Sequence, residues 1–424
     1  MIHTTTETKV YGYRWAVLLV FGLVFMAGQM MWLVFSLIRN EATQVMGLAV
    51  ADESLIVLLT ASQPLAFIIL SIPVGMLADR KGLVVVAGTG AILQAVFGAL
   101  RIFLIDDFWL IFACQFGLSI GSVMVQNCIT YLSVNWFPRA ERALATGVST
   151  LFMVLGMLLG TALSQILWTA PYFGSVDPYP VELARANIVS ILYLDAALAA
   201  IITIAFFAIA RNKPAHPPDI EVVTREKPNV RGMLRDRNVW IVAFGFFAGF
   251  GVFIGLTAIL EPLMQSLDLE VSTAAIVMIL LLASGIFGAI VLPAISDKIQ
   301  KRKPLLVAAL CVACVTTLIL GTSTVLIVTF VVSALLGFFL ISVMPIALTT
   351  LEELKTVGPR LSGASAGIAF ELGNLGGFLG SIILEVLVVG TSYLYSIMYL
   401  VVALVIATVL VLMIPETGGR KEAQ

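Results

Sequence analysis

Strongly polar side chains buried in otherwise apolar stretches are the residues able to do chemistry in this chain. Glu371 lies in a long apolar run, eleven residues beyond Arg360, and Asn374 follows at i+3 on the same helical face. At about 1.5 Å per residue, Glu371 falls roughly 16 Å along that helix, near the middle of a bilayer. An ionisable group there is costly and ordinarily faces a cavity, which suits a proton-coupling site. Asp195 is a second such group, expected in a structural pairing or a shallow water contact. Gln29 and Trp32 in the first apolar run, with Gln126, Asn127 and Tyr131 in the fourth, are candidates to bind substrate together with Asn374. Gln126 and Asn127 are adjacent and point to different faces, so one of them at most lines a given cavity. Glu261, followed by Pro262, reads as a gate or kink, and Met344-Pro345 as a bend. The two histidines, His3 and His216, lie in polar segments, so no intramembrane histidine relay is expected. Cys114, Cys128, Cys311 and Cys314 all lie in apolar runs; Cys311 and Cys314 have C-x-x-C spacing but no second ligand pair. No metal and no cofactor are expected.

The elements that must carry these residues follow from composition. Hydrophobic residues make up 60% of the chain and charged residues 12%, against about 25% charged in an ordinary soluble protein. A single aqueous core cannot hide so much apolar surface, and with a net charge of -1 there is no basic face for nucleic acid. Crossing a ~30 Å hydrocarbon core takes about 20 apolar residues. By that measure twelve spans are expected, at 14–37, 54–76, 83–104, 108–135, 143–169, 187–210, 239–264, 272–294, 304–323, 325–351, 361–390 and 392–414. The thinnest division is Gly321-Thr322-Ser323-Thr324, between the ninth and tenth. The first run is too long for a signal peptide and lacks a cleavage pattern, so it is read as a span.

With the N-terminus inside, 21 of the 24 basic residues fall on the cytoplasmic side, leaving Arg39, Arg101 and Arg185 outside. Both termini are therefore expected in the cytoplasm of a plasma or inner membrane. Residues 211–237, with Pro214, Pro217, Pro218 and many charges, read as a cytoplasmic linker between a first bundle at 1–210 and a second at 238–424. Gly147, Gly156 and Gly160 recur 220 positions on as Gly367, Gly376 and Gly380, and Asp79 recurs 218 positions on as Asp297. The chain is thus expected to be an all-α membrane protein of two pseudo-symmetric six-helix bundles.

The run Gly75-Met76-Leu77-Ala78-Asp79-Arg80-Lys81-Gly82 resembles the signature of the major facilitator superfamily between its second and third helices. Ser296-Asp297-Lys298, followed by Lys301-Arg302-Lys303, stands in the equivalent turn of the second half. Trp136 to Gly147, which includes Arg142, is similar to that superfamily's entry into its fifth helix, and Arg360 starts the eleventh. Pro415-Glu416-Thr417-Gly418 is similar to its exit from the last helix. The resemblance implies the major facilitator fold, a monomer, and a charged latch of Asp79, Arg80, Arg142, Asp297 and Arg360 that closes one conformation. Gly75 would allow close helix approach. The fourth helix has Ala113 where many proton-coupled members have arginine, and the fifth lacks the Gly-Pro pair of drug–proton antiporters. Arg14-Trp15, Trp32, Ser36 and Ile72-Pro73-Val74-Gly75 look like the branch with haem and choline carriers, although Met153 stands where that branch has glutamine.

The function expected is secondary transport of a small organic metabolite by alternating access, coupled to protons through Glu371. An uncoupled facilitator or exchanger, and a non-transporting sensor, are the alternatives. An enzyme acting on lipids would need His, Asp or Cys clustered near one membrane face, and the sequence has no such cluster.

Overall fold

A computed structural model of the chain describes residues 9–49, 54–138, 141–169, 181–216, 218 and 230–417. Among these, twelve long helices carry the fold: α1 Arg14–Trp32, α2 Val57–Lys81, α3 Leu83–Phe103, α4 Phe108–Gln126, α5 Arg142–Thr169, α6 Val181–Ile209, α7 Arg237–Ser266, α8 Val271–Ile299, α9 Lys303–Leu320, α10 Leu326–Glu352, α11 Gly358–Val386 and α12 Leu394–Met413. Eleven apolar stretches are long enough to cross a membrane. The twelfth helix, α5, contributes a shorter apolar stretch, Gly147–Ala162. A helix satisfies its backbone hydrogen bonds within the segment itself, as a span in hydrocarbon requires, which is why apolar length translates so directly into architecture.

Two spans are interrupted within a single crossing, the first in an apolar stretch and the second at the polar pair Gln126-Asn127. α1 stops at Trp32 and continues as a short 3-10 turn, Val34–Leu37, then a helix Arg39–Val45. α4 stops at Gln126, and a separate helix Cys128–Trp136 follows. Asn127 at that break donates from Nδ2 to Val123 O at 2.9 Å, a side chain competing locally with the helix ladder. The expected division after the ninth span does occur, between Leu320 and Leu326. The eleventh apolar run forms the single helix α11.

The chain divides into two compact units, Met1–Glu226 and Lys227–Gln424. In the first, the most extensive helix pairings are α1 with α5, α2 with α4, α3 with α4, α3 with α6 and α1 with α6. In the second they are α7 with α11, α8 with α10, α9 with α10, α9 with α12 and α7 with α12. Adding six to each helix number of the first set gives the second set, so the bundle is repeated. α1 is almost wholly buried, whereas α6 and α12 keep most of their apolar surface outward, with Ile201, Ile204, Val402 and Val405 exposed. An apolar belt of that extent fits lipid rather than water.

The recurring glycines show how the repeat packs. A Cβ on Gly156 or Gly160 of α5 would collide with the backbone of Met26 or Met30 of α1. A Cβ on Gly376 or Gly380 of α11 would meet the backbone of Phe247 or Gly251 of α7. The third pair, Gly147 and Gly367, has nothing within 4 Å in either unit. Within the first unit Gly75 is uncrowded: its Cβ would meet Asn127 Oδ1 at an ordinary 3.6 Å. Gly82, which ends the signature run, has φ 83°, a left-handed conformation that glycine adopts without strain.

The N-terminus of the third helix is capped alike in both units. Val84 N donates to Asn212 Oδ1 at 2.8 Å, from just beyond α6. Arg302 N donates to Glu416 Oε1 at 2.7 Å, from just beyond α12. A side-chain oxygen from the segment following the sixth helix thus answers the free N–H groups at the start of the third.

Candidate functional site

Inside the first unit, polar side chains from four helices meet in one buried layer. Gln29 and Trp32 come from α1, Ser62 and Gln63 from α2, Arg101 from α3, and Gln115 and Ser119 from α4. Gln63 Nε2 donates to Gln29 Oε1 at 3.4 Å. Trp32 Nε1 donates to Thr60 O at 2.9 Å. The hydroxyls of Ser62 and Ser119 lie 3.0 Å apart, and Ser119 also donates to Gln115 O at 2.8 Å.

The break in α1 accounts for the cationic part of this layer. A helix that stops at Trp32 leaves its last carbonyls without intrahelical donors, and in hydrocarbon each unsatisfied group costs several kcal/mol. Arg101 Nη1 donates to Met31 O and to Gln115 Oε1, both at 3.0 Å, and Gln115 Nε2 donates to Trp32 O at 3.1 Å. The two side chains together cap the end of α1, and a guanidinium suits the negative end of the helix dipole. Asp195 of α6, also buried, lies within electrostatic range of the same guanidinium.

Several atoms of this layer have no hydrogen-bond partner among the described residues: Gln29 Nε2, Gln63 Oε1, Arg101 Nε and Nη2, and Asp195 Oδ2. Buried polar atoms are almost always satisfied, by protein groups or by ordered water, so these atoms have capacity for further polar partners.

The other expected site residues lie elsewhere. Tyr131 is at the far end of the unit: its hydroxyl is next to Gly82, and Lys213 Nζ lies 6.0 Å from its ring centre. Asn127 accepts from Ser71 Oγ at 3.3 Å at the break after α4, and Gln126 beside it is half-buried. The structure therefore does not bring Gln126, Asn127 and Tyr131 into the layer of Gln29 and Trp32. In the second unit, Asn374 spends its amide on Phe370 O at 2.9 Å, and Glu371 is half-buried. Glu261 is the more deeply buried carboxyl, fully enclosed and accepting from Gln265 Nε2 at 3.1 Å. Arg80 is exposed. The side chains of Asp79, Arg142, Asp297 and Arg360 lie outside what the structure describes.

Ion pairs mark the ends of the bundles. Arg14 pairs with Glu141 at 2.7 Å, and Arg302 with Glu353 at 2.9 Å. In the turn between α3 and α4, Asp106 receives two hydrogen bonds from Arg185, which hold its carboxyl below the usual aspartate range.

Gln63, Ser62, Ser119, Arg101 and Gln115 are the layer residues that sequence reasoning missed. Gln63 and Gln115 carry the signal that singled out Gln29, a lone amide in an apolar span. Among the described residues, no cluster of His, Cys, Asp and Glu could hold a metal ion.

Comparison with known proteins places this architecture. A family model described as Major Facilitator Superfamily matches residues 17–381. A solute carrier family 49 member 4 homolog from Xenopus tropicalis is 24% identical over 401 residues, 89% of this chain and 85% of the relative. A choline/ethanolamine transporter from Danio rerio is 23% identical over 385 residues, 87% of this chain and 79% of the relative. A crystal structure of a bacterial homolog of the human lysosomal transporter Spinster, inward-facing and occupied, superposes with a TM-score of 0.68. It has 16% identity and covers 96% of this chain and 97% of its own.

Proposed function

The chain belongs to the major facilitator superfamily, and on that premise we propose that it moves a small amino alcohol across its membrane by alternating access. The observation that carries this reading is the Gln29–Gln63 pair, in which one buried donor and one buried acceptor remain unmatched beside each other. Each unmatched group costs about 1–3 kcal/mol, and a hydroxyl, which both donates and accepts, answers the two at once. Trp32 has committed its N–H to Thr60, and its ring is the cation-binding element that a quaternary ammonium prefers. Relatives named as choline/ethanolamine transporters make that class the first to test.

Radiolabelled choline and ethanolamine uptake into proteoliposomes tests the assignment. Saturable uptake is expected, with KM raised at least tenfold in Gln63→Leu, since one lost hydrogen bond of about 1.4 kcal/mol gives that factor. Saturable uptake with an unchanged KM in a Gln29→Leu, Gln63→Leu double variant removes the site from this layer.

Coupling to protons through Glu371 is part of the same proposal, supported by its place along α11 and its half-buried setting. In Glu371→Gln, pH-driven accumulation is lost while exchange of labelled for unlabelled solute persists. Uptake unchanged at every pH assigns the protein instead to the uncoupled facilitators. The two readings share the binding layer and differ only in that response.

A further inference from the structure

The end of the first unit that carries the α2–α3 turn contains a second site, unrelated to the polar layer. A shallow pocket of about 280 Å³ is lined by Tyr11, Tyr13, Trp136, Arg211, Lys213 and Pro214. Three aromatic rings and two cations therefore face one opening. Two of the rings are fixed by their polar tips: Tyr13 OH donates to Ile209 O at 2.6 Å and Trp136 Nε1 to Arg211 O at 3.3 Å. Arg211 is fixed too, donating through Nη1 to Ala210 O at 2.7 Å and Ala208 O at 3.2 Å. Lys213 reaches over the Tyr131 ring, and Lys9 lies 5.3 Å from the ring centre of Tyr11. Among the described residues neither lysine forms an ion pair, and the nearby carboxylate of Glu141 is committed to Arg14. Among the described residues, the pocket is thus a concentration of positive charge with no paired carboxylate.

An apolar track leads away from it. Ile201, Ile204 and Phe207 are exposed along α6 at three-residue spacing, and the helix ends at Ile209, two residues before Arg211 of the pocket. Cations and aromatic rings at one end of an exposed apolar stripe match an amphiphile with an anionic head and a hydrocarbon tail. Tyr and Trp at a membrane–water boundary, and basic pockets between helix ends, are recurring partners of phospholipid headgroups.

We propose that this pocket binds the headgroup of an anionic glycerophospholipid, with its phosphate against Lys213 and Arg211 and an acyl chain along the Ile201–Ile204–Phe207 face of α6. Zwitterionic lipid lacks the net charge that the two lining cations and Lys9 beside them select, and a soluble phosphate lacks the tail that the stripe accommodates.

Native mass spectrometry of the full chain, released from nanodiscs of equal phosphatidylcholine and phosphatidylglycerol, tests this. Phosphatidylglycerol is expected to be retained over phosphatidylcholine, and a Lys9→Glu, Lys213→Glu variant to lose that preference at least fivefold. Lys298→Glu, an exposed change of charge in the second unit, is expected to leave it intact. Equal retention of the two lipids, or equal loss in the Lys298 control, overturns the proposal. So does displacement of the lipid by millimolar glycerol 3-phosphate, which would make the pocket a soluble-phosphate site. If the glutamate variant does not fold, Lys213→Gln with the same readout decides between these outcomes.

Discussion

Arg101 shows how much a single buried residue can determine. Its guanidinium is fully enclosed, caps the broken end of α1, and is the cation facing Asp195. Removing one member of a buried charged set leaves the other uncompensated, at a cost of about 3–5 kcal/mol. Arg101→Ala is therefore expected to lower the thermal midpoint in detergent by several degrees and to cut the yield of folded protein. Arg101→Ala, Asp195→Ala, which removes both charges, is expected to recover part of that loss. A single variant as stable as the wild type would mean that the cap contributes nothing. The sequence announces Arg101 only as one of three basic residues outside the cytoplasmic set, because charge counting registers the side of the membrane and not what a side chain grips. Gln29 and Trp32 are legible as polar residues in an apolar span. Gln63 and Gln115 are equally visible, but their importance depends on which helices bring them together, and one sequence does not state that. Tyr131 has the opposite history. Its type and position suggest a cavity residue, yet one turn past Asn127 it lies beside Gly82 at the α2–α3 turn.

At the scale of helices, small residues set how closely neighbours approach. The three glycines that recur at an offset of 220 look alike in sequence, but only two of each set lie against backbone. Gly376→Val must push α11 away from Phe247 of α7, and overpacking of this kind costs about 1–3 kcal/mol or more. A clear drop in thermal midpoint is expected there, and likewise for Gly156→Val at the α1–α5 contact. Gly367→Ala, with open space around the new methyl, is expected to melt within a degree of the wild type. Equal destabilisation at Gly376 and Gly367 would contradict the packing described. Helix number and approximate ends were legible because membrane length is a ruler written into the sequence. The break after Trp32 was not, since it runs through residues as apolar as their neighbours and depends on Arg101 and Gln115 to satisfy the freed carbonyls. The interruption at the polar pair Gln126-Asn127 depends on Asn127 turning its amide onto Val123 O, which residue type alone does not state.

At the scale of the whole molecule, the repeat is the central fact. The same five helix pairings, the same glycine seams and the same cap on the third helix occur in both units. Duplication of a bundle gives two bodies of matched shape, which is what a carrier needs in order to expose one site to either side in turn. The units are not identical in their polar content. The first holds the amide and guanidinium layer with Asp195, and the second holds Glu261, fully buried, and Glu371, half-buried. Under the proposed mechanism, solute is held mainly by one unit and the coupling ion by the other, so that neither moves without the other. Counterflow in proteoliposomes tests this account most directly. Vesicles loaded with unlabelled choline and diluted into tracer should take up label in a transient overshoot above equilibrium, and Gln63→Leu should flatten it. Tracer entry that merely rises to equilibrium, indifferent to solute on the opposite side, would contradict a site that opens alternately.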